Sequence, residues 1–239
     1  TAGGEIMTII GTDLGPSWIP PELFKASYGA ILRNDTASGL KAGDNEFTAQ
    51  NCRVVIPHLQ AECELEPGAG DSHTWRLFVD SSESTTPKSS FAPPEIHDIV
   101  GEGSELASCL GNEEVTIQGD NFGEQATDIE SVTYGATGRE YVACQMKAPG
   151  KVAEGQYSCM KRPSDLHGCS LDSHTQITCI TVPGVGSGLW WKVTVRGQSN
   201  SDTEGSKTSY APPSILSVAP LRYPTIRHLD SAQEVQITL

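Results

Sequence analysis

The sequence predicts an all-β protein, either a β-sandwich or a β-barrel, and three observations support this. Apolar residues come in short runs, and several runs alternate strictly with polar residues, as Trp191, Val193 and Val195 do. The 24 glycines and 15 prolines leave little room for long helices. A set of sequence blocks also occurs twice in the same order. Many short strands divided by turn residues are typical of sandwiches and barrels.

Six apolar runs bounded by Gly, Pro, Asn or Asp are expected to form core strands. In chain order they are residues 6–10, 52–56, 77–79, 115–117, 177–182 and 190–195. Residues 20–28 predict at most one or two helical turns. Gly11 and Gly119 are expected to end a core strand in a turn with positive φ.

The charge of the chain excludes several classes of function. The 239 residues include 16 basic and 30 acidic side chains, a formal net charge of −14. Such a chain has no basic footprint for nucleic acid or for an anionic membrane surface. No apolar run approaches the roughly 18 residues of a spanning helix, so we expect no membrane insertion within this segment. Any secretory signal is expected upstream of Thr1 or already removed.

Aligning the chain with itself indicates a duplication. Residues 7–15 align with 115–123 at an offset of 108, and four further blocks follow in the same order. These pair residues 28–30 with 134–136, 63–70 with 179–186, 75–79 with 191–195, and 91–96 with 210–215. The blocks predict two tandem copies and the opening of a third, in which residues 235–239 take the place of 7–9.

The repeat divides the chain into three parts. Residues 1–91 are expected to form a first domain that lacks its opening strand. Residues 92–210 form a second domain with a Cys-rich insertion at 145–178, and residues 211–239 are the opening strands of a third repeat. Because a fold does not end halfway along a core strand, we expect this sequence to be cut from a longer array.

The repeated motifs resemble the IPT/TIG family. They are Thr-Ile-x-Gly-x-x-Leu/Phe-Gly, then Tyr-Gly, then Cys-x-x-x-Pro-Gly-x-Gly, then Ala-Pro-Pro-x-Ile. The resemblance covers essentially the whole chain and implies tandem immunoglobulin-like β-sandwiches, as in plexins, hepatocyte-growth-factor-type receptors and fibrocystin-like extracellular arrays. Two long stretches depart from the pattern, between Tyr28 and Cys52 and between Cys144 and Cys179.

Ala-Pro-Pro marks both boundaries between copies, at residues 92–94 and 211–213. Each proline fixes φ and disfavours helix at the residue before it, so we expect stiff, extended joints that transmit shape. An ordinary loop is the alternative, and the recurrence at both boundaries favours the stiff joint.

Four of the seven cysteines occupy corresponding places in the two copies. Cys63 and Cys179 align directly, and Cys52 and Cys144 precede them. The economical pairing is therefore Cys52–Cys63 and Cys144–Cys179, one disulfide in each copy. Each is expected to stabilise its copy by about 2–4 kcal/mol.

The other three cysteines belong to the second copy alone. Cys159–Cys169 could fasten the insertion and leave Cys109 unpaired, or Cys109 could take either one. An odd thiol suggests an intermolecular bond or a partner outside this sequence. A zinc site is the competing interpretation, and it lacks the short Cys-x-x-Cys steps of structural zinc sites. Its candidate ligands would be Cys159, His167, Cys169, His174 and Cys179.

The cysteines and one glycosylation motif predict an extracellular location, secreted or at the cell surface. Disulfides persist in oxidising compartments. Asn34 begins an Asn-x-Thr sequon in a polar loop, so it is expected to carry an N-glycan. The Ser/Thr-rich residues 81–90 fit either an O-glycan site or a plain solvated loop.

No set of residues predicts catalysis, and we expect neither an enzyme nor a cofactor or metal site. Residues 71–74 and 172–175 both read Asp-Ser-His-Thr, but neighbours on an extended chain point to opposite faces and cannot form a relay. Residues 119–124 lack the ligand spacing of an EF-hand. Trp191 is expected in the core, which leaves Trp190 as an exposed contact that could stack on sugar.

These observations favour a non-enzymatic extracellular structural or adhesion protein built from IPT/TIG repeats, with assembly into a filament or surface coat as an expectation. The expected partners are neighbouring repeats or head-to-tail copies of the chain, together with other cell-surface proteins or glycans. The alternatives are the spacer region of a receptor ectodomain and an accessory module of a secreted polysaccharide enzyme.

The tail has two explanations. Residues 211–239 are either the truncated opening of the next covalent repeat, which we favour, or a donated strand that completes the first domain of another copy. In both cases they are expected to pack as strands against a first-type domain through Ile215, Val218, Val235 and Ile237.

Overall fold

The computed structural model of the protein describes residues 2–31, 45–145, 159 and 168–218. Within these ranges the chain forms β-strands and three short 3-10 helices, without an α-helix. The strands pair antiparallel in several sheets, and one isolated parallel bridge joins Ala107 to Tyr210. The all-β class predicted from the sequence is confirmed, and the arrangement fits a β-sandwich.

The first group of strands precedes the Ala-Pro-Pro at 92–94. It consists of β1 (Ile6–Ile10), β2 (Phe24–Ile31), β3 (Asn45–Ile56), β4 (Gln60–Glu64), β5 (His73–Thr74), β6 (Arg76–Val79), β7 (Ser82–Glu83) and β8 (Lys88–Ser89). Of residues 20–28, for which at most one or two helical turns are predicted, Pro21–Leu23 form a 3-10 helix. β1 covers the same residues, 6–10, as the apolar run that predicted it.

The second group follows the same Ala-Pro-Pro. It consists of β9 (Glu95–Val100), β10 (Glu114–Asp120), β11 (Ile129–Gly135), β12 (Tyr141–Gln145), β13 (Cys169–Ser173), β14 (Gln176–Ile180), β15 (Leu189–Val195), β16 (Gln198–Ser199) and β17 (Lys207–Thr208). Two further 3-10 helices lie at Ala126–Asp128 and Glu204–Ser206. The strictly alternating run at Trp191, Val193 and Val195 is buried on one face of β15, as its pattern predicts.

In the first group, β3 belongs to two neighbouring pairings. Its first half pairs with β2, where Tyr28 lies opposite Phe47, and its second half pairs with β4. The change occurs at a bulge, where Asn51 takes a φ of 50°. Asn tolerates this left-handed conformation better than most residues. β3 therefore passes from one half of the group to the other without a break.

In the second group, the same path is divided between two strands. β12 pairs with β11, where Tyr134 lies opposite Tyr141, and β13 pairs with β14, where Cys169 lies opposite Cys179. The insertion lies between β12 and β13, at the place where β3 bends in the first group. The second group therefore replaces one continuous strand with two strands and an insertion.

This difference overturns part of the cysteine pairing. The structure joins Cys52 to Cys63, the pair expected in the first copy. In the second group the predicted pairs Cys144–Cys179 and Cys159–Cys169 are wrong, because the disulfides are Cys144–Cys159 and Cys169–Cys179. The physical reason is that Cys179 lies directly opposite Cys169 on the neighbouring strand.

The counterpart of Cys52 is therefore Cys169, not Cys144. Each of the two partners lies in the strand before the aligned cysteine, and the separations are 11 and 10 residues. Cys144 instead holds Cys159 of the insertion against β12. Cys109 is unpaired and exposed.

Both groups contain the same stacked aromatic pair. Tyr28 stacks on Trp75 with ring centroids 4.7 Å apart, and Tyr134 stacks on Trp191 at 4.2 Å. The indole Nε1 of Trp75 donates to Ser89 at 2.7 Å, and that of Trp191 donates to Thr208 at 2.8 Å. These residues correspond in the sequence alignment, at offsets of 106 for the two tyrosines, 116 for the two tryptophans and 119 for Ser89 and Thr208.

The two tyrosine hydroxyls also bind the backbone at matched places. The hydroxyl of Tyr28 accepts the N–H of Glu66 at 3.0 Å, and that of Tyr134 accepts the N–H of Val182 at 2.9 Å. Burial raises the pKa of Tyr28 to about 12. Each group therefore ties a core tyrosine to the loop after its cysteine strand.

Gly68 and Gly184 permit a close approach of aromatic rings in the two groups. A Cβ on Gly68 would lie 3.0 Å from ring atoms of Phe47 and of Phe91. A Cβ on Gly184 would lie 2.8 Å from ring atoms of Tyr141 and Tyr210. A Cβ at Gly184 would therefore force the rings to move, and a Cβ at Gly68 would require Phe47 and Phe91 to shift by a few tenths of an ångström.

Each group has its own buried core. The first centres on Tyr28, Phe24 and Leu77 and includes Cys63. The second is larger, and it includes Ala69 from the first group. The two cores are therefore in contact where the first group meets the second.

Candidate functional site

Two surfaces of the first group have a geometry that could serve a function. One is the joint with the second group, and the other is the edge of β1 that faces away from β4. The joint is built from loops at the ends of the strands, which is where β proteins generally place their contacts.

The joint centres on Arg196, which follows β15. Its Nε donates to Oδ1 of Asp128 at 2.6 Å, and its Nη1 donates to Oε1 of Glu46 in the first group. Its guanidinium also lies 6.0 Å from the ring centroid of Phe47. One side chain therefore contacts a carboxylate from each group.

Asp128 is fixed by its own group. Its Oδ2 accepts the backbone N–H groups of Glu124 at 3.2 Å and Gln125 at 3.1 Å, in the capping box of a 3-10 helix. Its side chain is 5% exposed, against 33% for Arg196 and 21% for Glu46. The joint is therefore a partly buried ion-pair network on a rigid support.

The pKa of Arg196 reflects two opposing effects in this network, burial and hydrogen bonding. Burial by itself lowers the pKa of the guanidinium, but the hydrogen bonds to Glu46 and Asp128 outweigh burial and raise it above its usual value. The charged form is therefore favoured at the joint.

Further contacts hold the chain where it crosses between the groups. Gln198 Nε2 donates to the carbonyl of Phe91 at 3.0 Å. Asn121 Nδ2 donates to the carbonyl of Pro93 at 3.1 Å. Beside them lies an open cavity of about 390 Å³. It is lined by Glu46, Gly70, Asp71, Ser72, His73, Thr127, Glu130 and Arg196.

His73 is a core residue of this region. Its side chain is buried, and its Nε2 lies 3.1 Å from the carbonyl oxygen of Ala69. Tyr28, Phe47 and Phe91 surround its ring edge to face. The ring therefore packs among aromatic residues.

The second Asp-Ser-His-Thr segment lies in the other group. His174 lies on the turn between β13 and β14, where its Nδ1 is 3.9 Å from Glu124. Asp172 accepts the hydroxyl of Thr178 at 2.6 Å. The two Asp-Ser-His-Thr segments are thus turns in different surroundings, and the structure does not bring them together.

The edge of β1 borders a larger cavity, of about 620 Å³. β1 contributes Met7 and Ile9, and the opposite wall contains Trp75, Leu77 and Pro87. In the second group the corresponding place is occupied by β9, which pairs with β10. Within the described ranges, β1 pairs with β4 alone.

The backbone conformations of Gly11 and Gly119 differ from the sequence prediction. Neither takes a positive φ, so the predicted reason for these glycines is wrong. A Cβ on Gly119 would lie 1.9 Å from the carbonyl oxygen of Glu95, because β9 passes directly over it. Gly11 occupies the corresponding place, and a Cβ there would meet the side chain of Leu14 at 3.3 Å.

Exposed apolar side chains gather at the end of the first group that lies away from the joint. They include Ile10, 82% exposed, Trp18, 80% exposed, and Leu59, 53% exposed. Backbone hydrogen bonds from Gly11 to Leu59 and from His58 to Gly15 hold this end together. Trp18 was not among the residues predicted from the sequence, although a tryptophan in the Pro-rich loop at 16–21 is a visible signal.

Trp190 is less available than its sequence predicts. Its side chain is half-buried, and the ammonium group of Lys207 lies 4.0 Å from its ring centroid. Trp191 is fully buried, and Trp75 is 7% exposed. Both belong to the cores, as expected.

The remaining predicted residues are placed as follows. Cys109 lies on the surface, with its Sγ 3.7 Å from the carbonyl oxygen of Ala211. Asn34, His167, Val235 and Ile237 lie outside the described residues. Three of the proposed zinc ligands are in disulfides, and no group of three or more metal-binding side chains occurs in the part of the chain that the structure describes.

In the same part of the chain, no helix has the length and apolar character needed to cross a membrane. Ile215 and Val218 are 69% and 38% exposed, and no strand includes them. Among the described residues, the predicted packing of residues 211–218 as a strand against the first group is therefore not seen.

Comparisons with known proteins assign no family. No family model and no curated protein matches the sequence. One similar solved structure is SGBP-B from a complex xyloglucan utilization locus in Bacteroides uniformis, with 13% identity, 88% of this chain and 46% of that chain covered, and a TM-score of 0.29.

A second solved structure is described as a crystal structure with xylogluco-oligosaccharide. It has 15% identity, covers 84% of this chain and 36% of that chain, and has a TM-score of 0.32. The chain thus spans less than half of either neighbour. At these TM-scores neither likeness supports a functional argument.

Proposed function

We propose that this chain is a non-enzymatic structural or adhesion segment outside the cell, in which two IPT/TIG-type immunoglobulin-like sandwiches are held as one stiff piece. The observation that carries the proposal is the joint, where Arg196 binds Asp128 of its own group and Glu46 of the other. A segment of this kind works through its shape, by holding its two ends at a fixed distance and angle.

The matched contacts support a tandem duplication. The Tyr28–Trp75 and Tyr134–Trp191 stacks recur with the same hydrogen bonds to hydroxyl side chains. The strand pairings agree as well, because Met7 of β1 lies opposite Cys63 just as Val115 of β10 lies opposite Cys179. Two unrelated folds would have no reason to repeat both the register and these contacts.

The disulfides support an extracellular location. Three pairs are present among the described residues, each closing a loop of 10 to 15 residues. By loop-closure entropy each stabilises the fold by about 3 kcal/mol. Such bonds persist in oxidising compartments and are rare in the cytosol.

The stiffness of the joint can be tested by NMR relaxation and small-angle X-ray scattering of the chain. We expect the two groups to tumble with one rotational correlation time in the wild type. Arg196→Met keeps the long side chain but removes the ion pairs, so it should separate the two correlation times and broaden the scattering distance distribution.

The matched control is Arg53→Met. Arg53 forms an ion pair with Glu62 at 2.9 Å in the first group, and its side chain is 71% exposed. This substitution removes the same charge far from the joint and should leave both measurements unchanged. Independent tumbling of the two groups in the wild type would contradict the proposed stiff segment.

A second candidate function is glycan binding, as in an accessory module of a polysaccharide enzyme. One observation favours it: the indole of Trp18 is 80% exposed, although tryptophan is on average highly buried. Exposed aromatic rings at a loop are common contacts for ligands. Calorimetry with a panel of oligosaccharides, xylogluco-oligosaccharide included, should then show binding that Trp18→Ala abolishes, whereas no heat with any sugar would remove this candidate.

A further inference from the structure

The outer face of β15 gathers positive charge on a strongly acidic chain. We propose that this lysine face, defined by Trp190, Lys192, Thr194, Ser199 and Lys207, binds an acidic polysaccharide. The inference rests on the adhesion role proposed above and names the chemistry of a partner, but it does not depend on the stiffness of the joint.

The register of the sheet places these side chains together. β15 buries every second side chain, so Trp190, Lys192 and Thr194 lie on its outer face. Lys207 of β17 lies opposite Trp190, and Ser199 of β16 lies opposite Thr194. Diagonal neighbours on adjacent strands are roughly 7–8 Å apart, so the two lysines can contact the same ligand.

The ring of Trp190 positions one of the two charges. Nζ of Lys207 lies 4.0 Å from the ring centroid. This cation–π contact favours the charged ammonium group and holds it on the face. A ligand that approaches Trp190 from this side therefore meets the positive charge as well as the indole.

The first group has a basic residue at the same place, but a carboxylate neutralises it. Arg76 corresponds to Lys192, and its Nε donates to Oε1 of Glu83 at 2.6 Å. Glu83 corresponds to Ser199, because each lies opposite the residue two places after that basic residue. Among the described residues, Lys192 forms no ion pair. The second group therefore has the cation without the internal carboxylate.

A turn at the border of the lysine face adds a further positive charge. A Cβ on Gly138 would lie 3.8 Å from the Cβ of Lys192, so this turn packs against the face. Arg139 follows Gly138 and is exposed. The acidic residue of the turn, Glu140, accepts hydrogen bonds from the hydroxyl of Thr137 and the N–H of Arg139. Its negative charge is therefore partly compensated within the turn.

Charge complementarity indicates an acidic partner. The chain as a whole has a net charge of −14, so a face with three basic side chains is unusual on it. At physiological ionic strength the Debye length is about 8 Å, so an anion on this face responds to the nearby cations more than to distant carboxylates. Lysine ammonium groups act on such anions as compact point charges with three donors each.

The form of the face favours a sugar chain over an acidic peptide. β15 pairs with β11 on one side and with β16 and β17 on the other, so it has no open edge for a peptide strand. The hydroxyls of Thr194 and Ser199 lie 3.0 Å apart on this face, and Thr133 lies opposite Lys192. Hydroxyl groups both donate and accept, which matches the hydroxyls of a sugar ring. An acidic polysaccharide carries anions and hydroxyls along its whole length.

The test is calorimetry of the full chain with polygalacturonate, which carries carboxylates, and heparin, which also carries sulfates, at about 0.15 M salt. We expect saturable binding of at least one of them and none of dextran, which is uncharged. Lys192→Gln combined with Lys207→Gln should weaken binding by roughly tenfold or more, because two surface ion pairs are lost. Both side chains lie on the outer face, so the fold should persist, which unfolding in guanidinium chloride checks.

Ser199→Glu is a second variant that keeps both lysines. It introduces the carboxylate that Glu83 provides in the first group. The new carboxylate should pair with Lys192 and weaken binding several-fold, although no basic side chain has been removed.

Lys25→Gln is the matched control. Lys25 is exposed on β2, in the corresponding sheet of the first group. The substitution removes the same charge away from the lysine face, so the affinity for the polysaccharide should remain that of the wild type.

The proposal is overturned if the wild type binds neither acidic polysaccharide, or if Lys25→Gln weakens binding as much as the double variant does. Binding of polyglutamate as tight as that of the polysaccharide would also overturn it, by assigning the face to an acidic protein. None of these results would change the rotational correlation times expected for the joint, so failure of this inference is distinguishable from failure of the proposed stiff segment.

Discussion

Replacing Cys169 and Cys179 together by alanine separates the two pairing schemes for the second group. In the structure these residues form one disulfide. The double variant therefore keeps a single free thiol, that of Cys109. In the pairing expected from sequence, the same variant would break two disulfides and also free Cys144 and Cys159.

The expected loss of stability follows from loop closure. The separation of 10 residues between Cys169 and Cys179 gives about 2.7 kcal/mol. The separation of 11 residues between Cys52 and Cys63 gives the same value within about 0.1 kcal/mol. Because Cys169 and Cys179 are fully buried, removal of their sulfur atoms adds a cavity term, for a total of roughly 3–4 kcal/mol.

The assay combines thiol titration in denaturant with equilibrium unfolding in guanidinium chloride. We expect one thiol in the wild type and one in each double variant, Cys169→Ala with Cys179→Ala and Cys52→Ala with Cys63→Ala. Three thiols in the first of these variants would refute the equivalence of the two cysteine hairpins. A loss much smaller than that of the control pair would refute the loop-closure argument.

Three further outcomes are expected. Tyr134→Phe should destabilise the second group by about 1–3 kcal/mol, since it leaves the buried N–H of Val182 without its hydroxyl acceptor. Tyr28→Phe should destabilise the first group by less, because the N–H of Glu66 is only partly buried, and differential calorimetry of the two variants checks both expectations. Hydrogen bonds from the hydroxyl and then the backbone N–H of Thr137 lower the pKa of Glu140 from 4.5 to about 2. The stability that ionised Glu140 contributes is therefore present above pH 4.5 and lost as the pH falls towards 2. Acid unfolding of Glu140→Gln should lack this component. Glycopeptide mapping of native material should find a glycan on Asn34, and an unmodified site throughout would leave the extracellular location to the disulfides alone.

The strands and their buried faces follow from local pattern. Period-two alternation around Trp191 requires one face of β15 to be buried, whatever the neighbouring strands are. The aligned Trp75 carries the same information for the first group. Both predictions concern one strand at a time, which is why they survive without any knowledge of the pairing.

The cysteine pairing depends on information that local pattern does not contain. Cys144 and Cys52 hold similar places in the order of motifs, but β3 is continuous and its counterpart is interrupted by the insertion. Chain order therefore suggests Cys144, whereas the partner across the strand is Cys169. The loop lengths would have been a better guide, because a separation of 10 residues repeats the 11 residues of Cys52–Cys63.

The joint could not be predicted from the sequence. Arg196, Asp128 and Glu46 are distant along the chain, and charged residues on strand ends usually face solvent. Their meeting depends on how one group is set against the other, which no pattern within a strand or turn encodes. Only the Ala-Pro-Pro at 92–94 pointed to this region.

The chemistry of the joint is specific to its place in the chain. The residue that corresponds to Arg196 in the first group is Asp80, whose N–H donates to Leu23 as that of Arg196 donates to Asp128. At the far end of the first group an acidic and an apolar residue thus replace the ion pair. Nearby, Ile10 takes the place of Gln118.

The far end of the first group therefore presents exposed apolar side chains where the joint holds an arginine between two carboxylates. Ion pairs suit the joint, because Arg196 and its two carboxylates are supplied by the same chain and the buried carboxylate of Asp128 keeps a charged partner.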